Sequence, residues 1–218
     1  MQDLVLLHGW GKRGEDYREL VDLLSQKYRV FGPDLPGFGA EPLPRPFTLE
    51  DYANWLQDYL EKNKIKDPVL VGHSFGGRVA IKLATSHQSL VTRLVLLDSG
   101  GIERKGLIIR VIGKIGRIGG AIPEEINNFF RSKDYQEATG FLRETLKNVV
   151  NENLEYILDK IKIPTLIIWG RNDHTTPIWH GELMHKLINN SELIVIDGDH
   201  GIPYRRAGEV YKAINGNI

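Results

Sequence analysis

Short, nearly continuous apolar runs recur along the chain, separated by longer stretches in which apolar positions return every third or fourth residue. The runs are Leu4–Leu7, Arg29–Phe31, Val69–Val71, Leu94–Leu97, Thr165–Trp169 and Leu193–Ile196. Rich in valine, isoleucine and leucine, they predict strands buried on both faces, the mark of a parallel sheet. Between them, Tyr17, Leu20, Val21 and Leu24 fall on one helical face. Leu49, Tyr52, Ala53 and Leu56 repeat that spacing behind a capping-box-like start at Thr48 and Asp51, and Val79, Ala80, Leu83 and Ala84 repeat it after the third run. Strand and helix in alternation predict an α/β fold, a mostly parallel sheet flanked by helices with right-handed crossovers.

One stretch breaks the rhythm. From Asp98 to Thr165 no strand pattern occurs; a glycine-dotted basic run, Glu103 to Arg117, leads into helical-looking sequence from Pro123 to about Ile161. So long a segment between consecutive sheet strands reads as an insertion, a helical cap over residues 100–162 of a single domain spanning 1–218. Phe129, Phe130, Tyr135 and Phe141, with Leu142, are candidate walls of an apolar substrate pocket, and equally readable as packing among cap helices. The basic run reads as a solvated helix face ahead of a site for an anionic group or a membrane surface.

Composition narrows the classes. Hydrophobic residues make up 41% and charged residues 26%, as in a globular protein, and 28 Lys+Arg against 28 Asp+Glu leaves no basic excess for nucleic acid. The absence of cysteine excludes disulfides, a thiol nucleophile and thiolate metal sites. No histidine pair has HExxH spacing, so no metal or other cofactor is expected. The apolar start, Leu4–Leu7, is too short to span a membrane and lacks signal-peptide features, so a cytoplasmic protein without stable membrane anchoring is expected. Oligomeric state stays open.

The sharpest chemical signal is Gly72-His73-Ser74-Phe75-Gly76-Gly77-Arg78, a G-x-S-x-G pattern directly after a predicted strand and before a predicted helix. A serine on so sharp a turn needs glycine two positions to either side, where side chains would collide. The turn aims the Phe75 backbone N–H at a reacting oxygen beside the positive end of the new helix. Upstream, His8-Gly9-Trp10-Gly11 also follows a strand, and the Trp10 N–H is the candidate second donor of an oxyanion hole. His8 reads as a structural hydrogen-bonder of that loop.

Ser74 needs a base. Of seven histidines (His8, His73, His87, His174, His180, His185, His200), His200 follows the last strand, at the carboxyl end of the sheet where ligands of open α/β folds gather. His73 is expected to point away from Ser74. Asp173, the only carboxylate of the loop Gly170–Pro177, is the choice to orient the imidazole, and Asp98, ending the strand before the cap, is its rival. Asp34 reads as a loop anchor.

With these motifs in order, the sequence resembles the α/β-hydrolase superfamily along nearly all of its length outside the cap. The resemblance implies a serine–aspartate–histidine hydrolase with a helical lid, here on a compact sheet of about six strands because the superfamily's usual first strands are missing. It points to a carboxylesterase acting on small-molecule esters. Ser74 argues against the dehalogenases and epoxide hydrolases of the superfamily, which carry an aspartate nucleophile. The run through Arg78 also resembles the elbow of its menaquinone-pathway lyases, so a lyase or carbon–carbon hydrolase is an alternative, as is a non-catalytic receptor.

Overall fold

The computed structural model describes residues 1–102 and 136–217. Among these, β1 (Gln2–Leu7), β2 (Tyr28–Phe31), β3 (Val69–His73), β4 (Arg93–Leu97), β5 (Thr165–Gly170) and β6 (Ser191–Ile196) form one sheet in the order β2-β1-β3-β4-β5-β6. Every neighbouring pair is parallel. The helices are α1 (Arg18–Leu24), α2 (Leu49–Lys62), α3 (Phe75–Ser86), α4 (Gly140–Val150), α5 (Trp179–Leu187), α6 (Ile202–Arg205) and α7 (Ala207–Asn217).

Successive side chains of a strand point to opposite faces, and here both faces are covered. Leu4 and Leu6 join Val69, Val71, Val95 and Ile168 in a core closed by α1 and α7. Val5 and Leu7 join Leu70, Leu94, Leu96, Ile167 and Trp169 in a second core under α2, α3 and α5. Each such side chain contributes roughly 1.5–3 kcal/mol by leaving water, which is why the inner strands show no polar alternation. The edge strands differ: Val30 and Phe31 of β2 and Leu193, Ile194 and Ile196 of β6 are only partly buried, because each has one strand neighbour.

The start of α2 is locally determined. Thr48 Oγ1 accepts the Asp51 N–H at 3.2 Å and Asp51 Oδ2 accepts the Thr48 N–H at 2.8 Å, the reciprocal box that satisfies donors at a helix N-terminus.

Within the described part of the segment between β4 and β5, the helical pattern resolves into α4 and a 3-10 turn at Glu155–Lys160. Leu154, Ile157, Leu158 and Ile161 are buried in the same core as α3, so this stretch packs on the body of the domain. Phe129, Phe130 and Tyr135 lie outside the described residues. Phe141, at the start of α4, is 50% exposed, while Leu142 packs toward Gly37.

The chain leaves β1 toward β2 on one side, and β3 returns to pair with β1 on the other. The carboxyl ends of β1 and β3 therefore flank the point where strand order reverses, where open α/β sheets leave a crevice.

Candidate active site

Ser74 sits between β3 and α3 with φ 51° and ψ −110°, a conformation costly for a non-glycine residue and held here by its surroundings. Its N–H donates to Leu97 O at 3.1 Å, and its carbonyl accepts Gly77 N–H at 3.1 Å and Gly100 N–H at 3.0 Å. The flanking glycines leave no room for a side chain. A Cβ on Gly72 would lie 2.5 Å from Gly76 O, and one on Gly76 would lie 2.7 Å from His8 O. The elbow is thus clamped between β1 and β4.

His200 follows β6, and its Nε2 lies 2.9 Å from Ser74 Oγ. Its Nδ1 lies 2.7 Å from Asp173 Oδ2. Asp173 follows β5, and its side chain is fully buried whereas that of His200 keeps partial access to solvent. The Asp173 Oδ1 accepts the N–H groups of Thr175 at 2.7 Å and Thr176 at 2.9 Å, and Oδ2 also accepts Thr176 Oγ1–H at 2.7 Å. Burial alone would push this carboxyl up; the bonds from His200 and Thr176 outweigh it and hold Asp173 below the ordinary carboxylate range. Because an ionised carboxylate only accepts, His200 Nδ1 carries the hydrogen and Nε2 is free to accept one from Ser74.

Asp98 follows β4 within the same cluster but does not bond His200. Its Oδ1 accepts the Gly170 N–H at 2.7 Å, and its backbone carbonyl faces Thr176 Oγ1 at 3.1 Å.

The loop after β1 runs directly over Ser74: a Cβ on Gly9 would lie 3.4 Å from Ser74 Cβ. His8 Nε2 accepts the Leu35 N–H at 2.8 Å, which leaves Nδ1 to donate to Gly9 O at 2.8 Å, so both ring nitrogens serve the loop. Trp10 packs edge-on against Phe38 and Phe75, with ring centroids 5.0 Å and 5.2 Å away. Phe75 is the first residue of α3, where a backbone N–H has no intrahelical acceptor. Asp34 Oδ1 accepts the Gly14 N–H at 3.0 Å, an anchor between loops.

His73 bonds Tyr17 Oη and the His200 carbonyl, and its ring lies 4.9 Å from that of His200. Sequence reasoning gave it no role and placed Tyr17 only on a helical face; both belong to the shell behind the site. Thr175 and Thr176 were missed too, although an aspartate followed by threonines at the second and third positions is the signature of a side chain capping its own turn. The remaining histidines stand apart: His174 is exposed, His87 pairs with Ser86, His185 with Ser191, and His180 lies against Trp179.

Among the described residues, the set with metal-like spacing is His73, Asp98 and His200, their ligand atoms within 4.8 Å of one another. Both ring nitrogens of each histidine are already hydrogen-bonded, so Asp98 alone would have an oxygen to offer a cation. No helix among the described residues is long and apolar enough to cross a membrane.

Similar proteins match this chain over nearly all of its own length. A pimeloyl-[acyl-carrier protein] methyl ester esterase of Neisseria meningitidis is 27% identical over 240 residues, which cover 98% of this chain and 92% of that protein. Among solved structures, an esterase of Exiguobacterium antarcticum superposes with a TM-score of 0.79 at 22% identity, covering 99% of this chain and 91% of that one. A thermophilic esterase of Thermogutta terrifontis superposes with a TM-score of 0.76 at 25% identity, covering 99% and 89%. The sequence matches the family described as "Alpha/beta hydrolase family" from residue 4 to residue 213, nearly its whole length, and the protein belongs to that family.

Proposed function

We propose that the protein is a serine hydrolase, a carboxylesterase that cleaves small or medium acyl esters through an acyl-enzyme on Ser74. The observation that carries this reading is the unbroken chain Ser74 Oγ–His200 Nε2 at 2.9 Å and His200 Nδ1–Asp173 Oδ2 at 2.7 Å. In it, Ser74 Oγ attacks the ester carbonyl carbon while its proton passes to His200 Nε2, and Asp173 stabilises the resulting imidazolium. The backbone N–H groups of Trp10 and Phe75 hold the oxyanion. Collapse of the adduct breaks the bond to the alkoxy oxygen, which takes the proton from His200. Water then attacks the acyl-enzyme by the same route in reverse, releasing the acid and restoring Ser74.

The ester-cleaving names of relatives support the substrate class. Arg78, which extends the elbow's likeness to the lyases, donates Nη1 to the carbonyls of Val149 and Glu152 at 3.0 Å and 2.9 Å. That contact ties α3 to the end of α4. Residues 100–162 are proposed as the lid, with Phe141 on its described part.

The test is hydrolysis of a p-nitrophenyl ester series of increasing acyl length by wild type and Ser74→Ala. Turnover that Ser74→Ala abolishes is expected, and the chain-length optimum sizes the pocket. No turnover of any ester by the folded wild type, or an active Ser74→Ala, would overturn the proposal.

A further inference from the structure

The loops that flank Ser74 are tied to each other behind it. Gly9, in the loop after β1, donates its N–H to the Tyr17 hydroxyl oxygen at 2.9 Å. Tyr17 Oη lies 2.6 Å from His73 Nδ1, and His73 Nε2 lies 2.8 Å from the carbonyl oxygen of His200. A carbonyl only accepts, so Nε2 carries the hydrogen; Nδ1 is then the acceptor and Tyr17 the donor. One arrangement of hydrogens satisfies every link: Gly9 N–H to Tyr17, Tyr17 O–H to His73, His73 N–H to His200.

Both side chains are buried. Burial pushes the Tyr17 phenol far up, and burial with the neighbouring His200 pushes His73 down to about 3. Neither changes charge near neutrality, so the relay keeps its direction. His8 clamps the next peptide. Its Nδ1 donates to Gly9 O at 2.8 Å, and that carbonyl shares a rigid plane with the Trp10 N–H, so holding one aims the other.

Resting on the serine-hydrolase reading above, we propose that Tyr17 and His73 are positioning residues: they lock the oxyanion loop to the loop that carries His200, so that the Trp10 N–H and the His200 imidazole keep one fixed relation to Ser74 Oγ. Neither touches substrate. Loops at strand ends otherwise move independently, and a misplacement of about 1 Å at the reacting groups costs about 100-fold in rate. The relay removes that freedom with three hydrogen bonds drawn from β3, the turn before α1 and the two loops.

Tyr17→Phe keeps the ring in its packing and removes the hydroxyl. On p-nitrophenyl acetate its kcat is expected to fall about 10- to 100-fold with KM within about twofold of wild type. A boronic acid that mimics the tetrahedral adduct should bind weaker by the same factor. In wild type, imidazole ¹⁵N shifts should show His73 as the neutral Nε2–H tautomer from about pH 5 to about pH 9. The Gly9 amide should be protected from exchange in wild type. Unchanged kcat and boronate affinity in Tyr17→Phe would overturn the proposal, as would an Nδ1–H tautomer in wild type. Should wild type turn over no ester, the hydrolase reading fails by itself. The wild-type tautomer and Gly9 protection, which need neither activity nor a folded variant, then still decide whether the two loops are locked.

Discussion

The backbone N–H of Gly170 donates to Asp98 Oδ1 at 2.7 Å, while Asp98 Oδ2 is buried with no hydrogen-bond partner among the described residues. A buried charged oxygen without a donor is costly, and a proton on it removes the charge and lets it donate to the neighbouring Asp173 carboxylate. Burial is the main force that pushes Asp98 up, to about 8; the Gly170 N–H opposes it, and the neighbouring carboxylates of Asp173 and Asp199 add to it. Near neutrality Asp98 is therefore a neutral acid beside an ionised Asp173.

The consequence for stability has a definite sign. In the unfolded chain an aspartate titrates near about 3.9. With the folded value raised, the contribution of Asp98 to stability is full below that pH and is lost as pH rises through about 8. Asp98→Asn keeps the shape, an acceptor for Gly170 and a donor on the other side, but does not titrate. Relative to wild type it should gain stability across this window and level off above it, by about 2–5 kcal/mol. Urea unfolding of both proteins from about pH 4 to about pH 9 checks this. A difference that stays constant with pH would refute it.

Asp173 behaves in the opposite sense. Its folded value is lowered, so its contribution is present above the unfolded value and is lost as pH falls through the folded one. Asp173→Asn should remove this acid-side dependence. It should also cost activity, because Oδ1 can keep its two backbone donors only if Nδ2 faces His200. Imidazole then has to present a bare Nδ1, which moves the hydrogen to Nε2 and blocks acceptance from Ser74. On the serine-hydrolase reading kcat should fall by about 10⁴-fold with KM little changed. Single-turnover kinetics read this directly, and a loss of only a few-fold would mean that the carboxylate does not set the tautomer.

Thr176→Val offers a graded version. It removes the hydroxyl at 2.7 Å from Asp173 Oδ2 and leaves the backbone donors and the charge in place. Stability should drop by about 1–2 kcal/mol, and kcat by far less than in Asp173→Asn. Thermal unfolding beside steady-state kinetics separates the two. Equal loss of activity in both variants would place the hydroxyl, and not the charge, at the centre of the acid's role.

What could be read from the sequence is what neighbours in the chain decide. Apolar runs marked the inner strands because those are covered on both faces, and Thr48 with Asp51 marked a helix start because that bond spans three residues. The elbow showed itself because its glycines answer to backbone a few positions away, although the strand contacts that forbid a Cβ on Gly76 come from Leu7 and His8. Asp173 and Asp98 both follow central strands, and only the packed loops show that His200 Nδ1 meets the first while Gly170 meets the second. Tyr17 carried the period of a helix face, but it closes a 3-10 turn ahead of α1, and its hydroxyl reaches 56 residues along the chain to His73. No periodicity encodes a contact of that kind. The edge strands misled in a smaller way, since valine and isoleucine there fill half-covered faces.

The glycines supply a prediction with an internal control. A Cβ on Gly76 would stand 2.7 Å from the carbonyl oxygen of His8 and closer still to that of Leu7. Both atoms are backbone of β1 and the loop that follows it, so neither can swing aside as a side-chain end would. Gly76→Ala must push the elbow away from β1, opening the core or moving Ser74 from His200. A loss of about 3 kcal/mol or more is expected, and on the serine-hydrolase reading whatever folds should be inactive. Gly208, near the start of α7, has nothing within 4 Å of the position a Cβ would take. There alanine only reduces the freedom of the unfolded chain and favours the helix, so Gly208→Ala should stabilise by about 0.5–1 kcal/mol with unchanged kinetics. Urea titration of the two variants beside wild type gives both signs in one experiment. A soluble, active Gly76→Ala of wild-type stability would show that the elbow and β1 are less tightly opposed than these distances require.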